Sequence, residues 1–152
     1  MSSTVNRRRR QLIVLFSDGA DSTSITTPEA LIDLAQRTNA SVASVAPDSG
    51  TGTSPQARAG LELLRNLASE TGGTFIPMTA TRTTLSRGTR ITTTGPANLT
   101  DTFRRVLEEF RSSYVLHFTP RGVEAGGFHT LDVKVKGKGS LTIRARRGYA
   151  VR

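Results

Sequence analysis

The chain has 152 residues, 36% of them hydrophobic, no cysteine, and a formal charge of +9 from 21 Lys and Arg against 12 Asp and Glu. That composition suits one globular domain and excludes a disulfide framework, a thiolate metal site and a cysteine nucleophile. The longest apolar run, Leu12 to Phe16, is shorter than the roughly 20 residues that cross a bilayer or the about 7 to 15 of a signal-peptide core. The chain as written therefore reads as neither membrane-spanning nor carrying an export signal.

Residues 1–11 are polar and end in Arg7 to Arg10, which predicts a disordered basic tail. Leu12 to Phe16 is too short for a helix and rich in branched side chains, as a strand buried on both faces would be. Ser17-Asp18-Gly19 follows at its carboxyl end, where open α/β sheets place their ligand crevices. Thr26 with Glu29 matches a capping box with Pro28 in the first turn, which starts a helix with Leu31, Leu34 and Ala35 on one face and Asn39 at its end. Ala40 to Val45 reads as a second strand ending in the loop composition Pro47-Asp48-Ser49-Gly50.

Gln56 to Thr71 reads as a second helix, with Leu61, Leu64, Leu67 and Ala68 on one stripe and Gly72-Gly73 as its stop. Thr74 to Ile76 is a third short strand. Strand, helix, strand, helix, strand at these spacings predicts a parallel sheet joined by right-handed crossovers. Thr79 to Asn98 has no sustained period, the mark of a lid or insert. Asn98 or Thr100 then caps a third helix with Leu99, Phe103, Val106, Leu107 and Phe110 as its apolar stripe.

Beyond that helix the period changes to two. Tyr114, Leu116 and Phe118, then Leu131, Val133 and Val135, then Leu141, Ile143 and Ala145 alternate with polar residues. An antiparallel three-stranded meander with a basic, solvated face is the expectation, with turns at Gly122 to Gly127 and at Gly137-Lys138-Gly139. The division is a tail over 1–11, a partial Rossmann-like α/β domain over 12–112 and a β extension over 113–152.

Candidate chemistry centres on Asp18. One reading makes it a metal or partner ligand at a strand end; the other makes it a turn aspartate whose carboxylate caps nearby amides. Asp21 and Ser22 can add oxygen ligands, and Ser17, Gly19 and Ser24 complete the candidate binding loop, although Asp and Ser are also ordinary loop residues. His117 and His129 sit in alternating segments without a placed carboxylate, a poor metal signature. Glu108 and Glu109 are helix neighbours and diverge. Gly137-Lys138-Gly139-Ser140 lacks the glycine spacing and the following helix of a phosphate loop. With no nucleophile elbow or nucleophile–base pair, nothing in the sequence argues for an enzyme.

Val14-Leu15-Phe16-Ser17-Asp18-Gly19 followed by Asp21-Ser22 resembles the fourth strand and adjoining loop of von Willebrand factor type A (VWFA) domains. The order of Leu67-Ala68, Thr71-Gly72-Gly73-Thr74-Phe75, the helix to Arg111, Tyr114-Val115-Leu116 and Ala145-Arg146-Arg147-Gly148-Tyr149 extends the resemblance to the bacterial subgroup with a C-terminal β extension. The resemblance implies a non-enzymatic adhesion or protein-binding role, with a magnesium ion over the strand ends that takes an acidic group from the partner. Asp18 matches one acidic member of that metal-ion-dependent adhesion site. The family's Asp-x-Ser-x-Ser loop would lie before Leu12 and has no counterpart here, so a degenerate or incomplete site is expected, holding magnesium weakly if at all.

The same comparison makes Leu12 to Phe16 a central strand with one neighbour missing. The chain is then the C-terminal part of a larger domain, or it self-associates as a homodimer with that strand paired across a two-fold axis. The family suggests an exported or envelope protein, which the chain's own start does not indicate. Two other functions fit less of the sequence. One is a magnesium-dependent phosphoryl-transfer hydrolase, disfavoured by the spacing of Asp18 and Asp21. The other is a nucleic-acid or anionic-surface binder using Arg7 to Arg10 and Arg144 to Arg147. With six Phe, two Tyr and no Trp, it lacks an evident base-stacking platform.

Overall fold

The computed structural model describes residues 10–19, 25–48, 54–79, 85–86, 89–90, 98–124, 126–137 and 141–150. Strand β1 (Gln11–Phe16), helix α1 (Pro28–Arg37), β2 (Ala40–Asp48), α2 (Pro55–Thr71) and β3 (Phe75–Thr79) alternate along the chain. The three strands form a parallel sheet in the order β1-β2-β3, with Phe16 level with Val45 and Ser44 level with Phe75. The expected α/β class with a parallel sheet holds at this level. Helix α3 (Leu99–Ser112) follows a two-residue hairpin of β4 (Leu85–Ser86) and β5 (Thr89–Arg90), short pairing inside a stretch expected to have none.

Side-chain alternation along β2 builds two half-cores. Ala43 and Val45 join Ile76 and Val106 of α3 in one cluster, against which Leu12, Val14 and Met78 pack. Helix α2 packs on β2 and buries Leu64, Leu67 and Ala68, the stripe read from the sequence. Gly72 ends this helix in the left-handed region at φ 70°, the conformation a glycine reaches without a Cβ penalty.

Several boundaries differ, each for a physical reason. Strand β2 runs through Pro47, which composition assigns to a loop, and β3 runs through Pro77 to Thr79, past the expected end at Ile76. Ser44 N donates to Thr74 O and Ser17 N to Val45 O; by ladder alternation, Pro77's missing N–H then points away from β2, and that of Pro47 points to where β1 has ended. Thr27, not Thr26, caps α1, its Oγ1 accepting from Ala30 N at 3.3 Å, and Thr38 rather than Asn39 ends it. Leu34 is left exposed, so only part of the expected α1 stripe is covered.

The three-stranded meander is not formed among the described residues. The strands present are β6 (Phe128–Thr130) and β7 (Gly148–Ala150), an antiparallel pair continued by Leu131 N donating to Arg147 O. Residues 113–120, 131–136 and 141–146 are outside any strand. The expected facing is also inverted near the end of the chain: Leu141 and Ile143 are exposed, whereas Arg146 is half-buried.

The reason lies at the amino end of the sheet, where the three helices finish. Helix carboxyl ends carry unsatisfied carbonyls and partial negative charge, which draw cations. Arg146 donates through Nη1 to Gln36 O and Thr38 O at 3.1 and 2.5 Å, and through Nη2 to Ala40 O at 3.0 Å. Arg144 donates to Thr74 Oγ1 at 2.7 Å and to Glu109 Oε2 at 3.0 Å, and Arg147 Nε lies 3.7 Å from Glu70 Oε1. Arg10, placed by composition in the tail, donates to Phe110 O at 2.9 Å and Ser113 O at 3.0 Å. Arginines from both ends of the described chain thus close the floor beneath α1, α2 and α3.

Candidate binding rim at the end of β1

In a parallel sheet the strand carboxyl ends and the helix amino ends share one rim. Here that rim carries Ser17-Asp18-Gly19 after β1, the end of β2 at Asp48, and the caps Thr27, Ser54 and Asn98. Ser17 adds a rung beyond β1 through its N–H to Val45 O at 3.1 Å, and its Oγ accepts from Gly19 N at 3.1 Å. That short turn fixes the backbone on both sides of Asp18, which is exposed.

A second constraint comes from α2. Gly19 has φ 78° and its backbone lies directly on Gly60, so that a Cβ added at Gly19 would stand 2.7 Å from Gly60 C. A Cβ at Gly60 would run into the Gly19 carbonyl. The Asp18 turn is therefore seated on the helix by a contact between two backbones, which only a pair of glycines permits.

Of the candidate residues, Ser17, Asp18 and Gly19 are placed together at the rim, while Asp21, Ser22 and Ser24 lie outside the described residues. Among the described residues, no three His, Cys, Asp or Glu side chains stand close enough together to hold a metal ion. One carboxylate does not make the near-octahedral oxygen cage that magnesium requires. Sequence reasoning missed Gly60 and left Asp48 in a loop. A glycine inside a helical pattern was the available signal for Gly60, because it costs about 1 kcal/mol relative to alanine without a packing reason. Asp48 was hidden by Pro47 before it; in the structure it ends β2, three residues past Val45 as Gly19 is three past Phe16.

Two other concavities frame the rim's setting. A cavity of about 280 Å³ lies at the opposite end of the sheet, among Leu12, Ser41, Gly73, Phe110 and Arg144, where Arg144 already pairs with Glu109. An open groove of about 520 Å³ runs between Phe16 and the Leu99, Phe103 and Leu107 side of α3, with Phe16 and Phe103 stacked at 6.4 Å. No described helix is long and apolar enough to cross a membrane. Compared with protein-family models, curated proteins and solved structures, the chain finds no match.

Proposed function

We propose that this chain is a non-enzymatic protein-binding module, similar to the C-terminal part of a VWFA domain, that engages its partner at the sheet rim around Asp18. The observation that carries this reading is the seating of the Asp18 turn: a carboxylate exposed at the end of an apolar strand and fixed by the Gly19–Gly60 backbone contact. A rigidly held, exposed polar residue costs little ordering entropy on association. Were magnesium to take part, Asp18, Asp21 and Ser22 would be the oxygen donors of this chain, and the ion would supply the positive charge that attracts an acidic group of the partner.

The basic-surface alternative draws on Arg7 to Arg10 and on Arg144, Arg146 and Arg147. Of these, Arg10, Arg144, Arg146 and Arg147 all have partners within the chain. Arg7 to Arg9 are left to carry it, and they lie outside the described residues. Elution from heparin over a salt gradient separates the two readings, because phosphate-type binding falls steeply with salt.

The direct test is an amide-resonance titration with magnesium chloride followed by a glutamate-rich peptide. The expected result is saturable shifts at Ser17 to Gly19 and around Gly60, lost in Asp18→Ala. Shifts confined to Arg144 to Arg147, or no shift at the rim in either titration, contradict it.

A further inference from the structure

We propose that two copies of this chain associate through the open edge of β1 and the exposed stripe of α3, with β1 paired antiparallel to its own copy across a two-fold axis. This surface is distinct from the rim and does not depend on it.

The strand edge supplies the first half of the argument. Among the described residues β1 pairs only with β2. Since Ser17 N donates to Val45 O, alternation turns the amides and carbonyls of Ile13 and Leu15 toward β2 and those of Leu12, Val14 and Phe16 outward. The edge holds no charged residue, proline or bulge from Gln11 to Phe16, and those are the devices that normally prevent strand addition.

The helix supplies the second half. Leu99, Phe103 and Leu107 recur every four residues, one stripe of α3, and are 54%, 41% and 37% exposed. They lie beside Phe16, which is 44% exposed, while Ile13 on the other sheet face is 49% exposed. The four on the α3 side leave on the order of 400 Å² of contiguous apolar surface in the open, a size that marks an interaction site. Two such patches, with the two Ile13 side chains on the other face, bury about 1,000 Å² before any backbone is counted, the lower bound of a specific interface.

The geometry selects the occupant. An added peptide strand satisfies the β1 edge and leaves the α3 stripe uncovered, so the occupant brings a strand and an apolar helix in the same relation. A second copy does this by symmetry. Phe103 stacks on Phe16 of β1, while Val106 shares a cluster with Ala43 and Val45 of β2 and Ile76 of β3, so the Leu99, Phe103 and Leu107 stripe of α3 lies on the β1 side of the helix. Two edge strands paired about 4.8 Å apart then turn the two α3 stripes toward each other on the same face of the joined sheet. Each copy carries +9 and Arg104 lines the groove beside the stripe, so the copies repel, and salt strengthens the dimer by screening that repulsion.

Sedimentation equilibrium at about 0.1 and about 0.5 M sodium chloride tests this, using wild type, Ile13→Lys, Leu99→Lys and, as a control outside both elements, Val135→Lys. Wild type and Val135→Lys are expected to dimerise more tightly at the higher salt. Ile13→Lys and Leu99→Lys are each expected to weaken the dimer at least about tenfold with an unchanged far-ultraviolet spectrum; Leu99 lies at an exposed helix start, so its variant folds even where Ile13→Lys does not. A wild type that stays monomeric at about 100 µM in both salts overturns the proposal. So does a dimer that survives Leu99→Lys, or one that Val135→Lys disrupts equally.

Discussion

At Thr71 one buried hydroxyl joins the end of α2 to the start of β2. Its Oγ1 accepts from Val42 N at 2.9 Å and donates to Leu67 O at 2.7 Å. Val42 N points toward β3, but β3 has not begun at that level: the first rung to that side is Ser44 N to Thr74 O. The threonine supplies the acceptor that the sheet lacks there. Thr71→Val keeps the shape and leaves Val42 N buried without its acceptor, so a loss of about 1–3 kcal/mol is expected in denaturant unfolding. Ser44 is the opposite case: fully buried, with Oγ lacking a hydrogen-bond partner. Ser44→Ala removes an unsatisfied polar atom at little cost in volume, and the same measurement is expected to show unchanged or raised stability, by up to about 1 kcal/mol. At the rim, Gly60→Ala gains helix propensity yet drives a methyl into the Gly19 carbonyl. Overpacking prevails, with a loss of about 1–3 kcal/mol and displaced amide resonances at Ser17 to Gly19. None of these three roles was legible in the sequence, because each depends on which backbone group faces which neighbour.

Elements were legible where the pattern was local. Five apolar residues in a row gave β1, and the α2 stripe with Gly72 after it gave a helix that buries Leu64, Leu67 and Ala68 as expected, leaves Leu61 partly exposed and buries Thr71 besides. What the sequence hid were the prolines inside β2 and β3, tolerable only because the groups they lack face no partner. It also hid the facing of residues 141–146. Alternation reports that two faces differ, not which one meets the protein, and here the inward groups are arginines because three helix carboxyl ends converge beneath the sheet. Burial pushes the pKa of Arg146 below the ordinary arginine value, yet a guanidinium stays charged throughout the accessible range, so its three carbonyl bonds persist at any working pH. Arg146→Ala is expected to cost about 1.5–3 kcal/mol and to raise hydrogen exchange at β6 and β7 before the sheet. Uniform exchange across both parts of the molecule contradicts a strap that acts at that junction.

At the scale of the whole molecule, β1 has three jobs that follow from its position. One side pairs with β2, its carboxyl end carries Asp18 at the rim, and its other side is, among the described residues, an uncovered edge beside the α3 stripe. The structure shows an α/β core with a parallel sheet, while the resemblance to VWFA domains rests on the order of short sequence pieces and on Asp18. The site was legible as far as the strand end and no further, since its support comes from Gly60, more than 40 residues away in sequence. Hydrogen exchange of the β1 amides, followed over a range of protein concentrations, tests this account most directly. The expected result is protection of Ile13 and Leu15 at every concentration, with protection of Leu12, Val14 and Phe16 appearing only as concentration rises. Equal protection of all five in dilute solution, or protection of none, contradicts it.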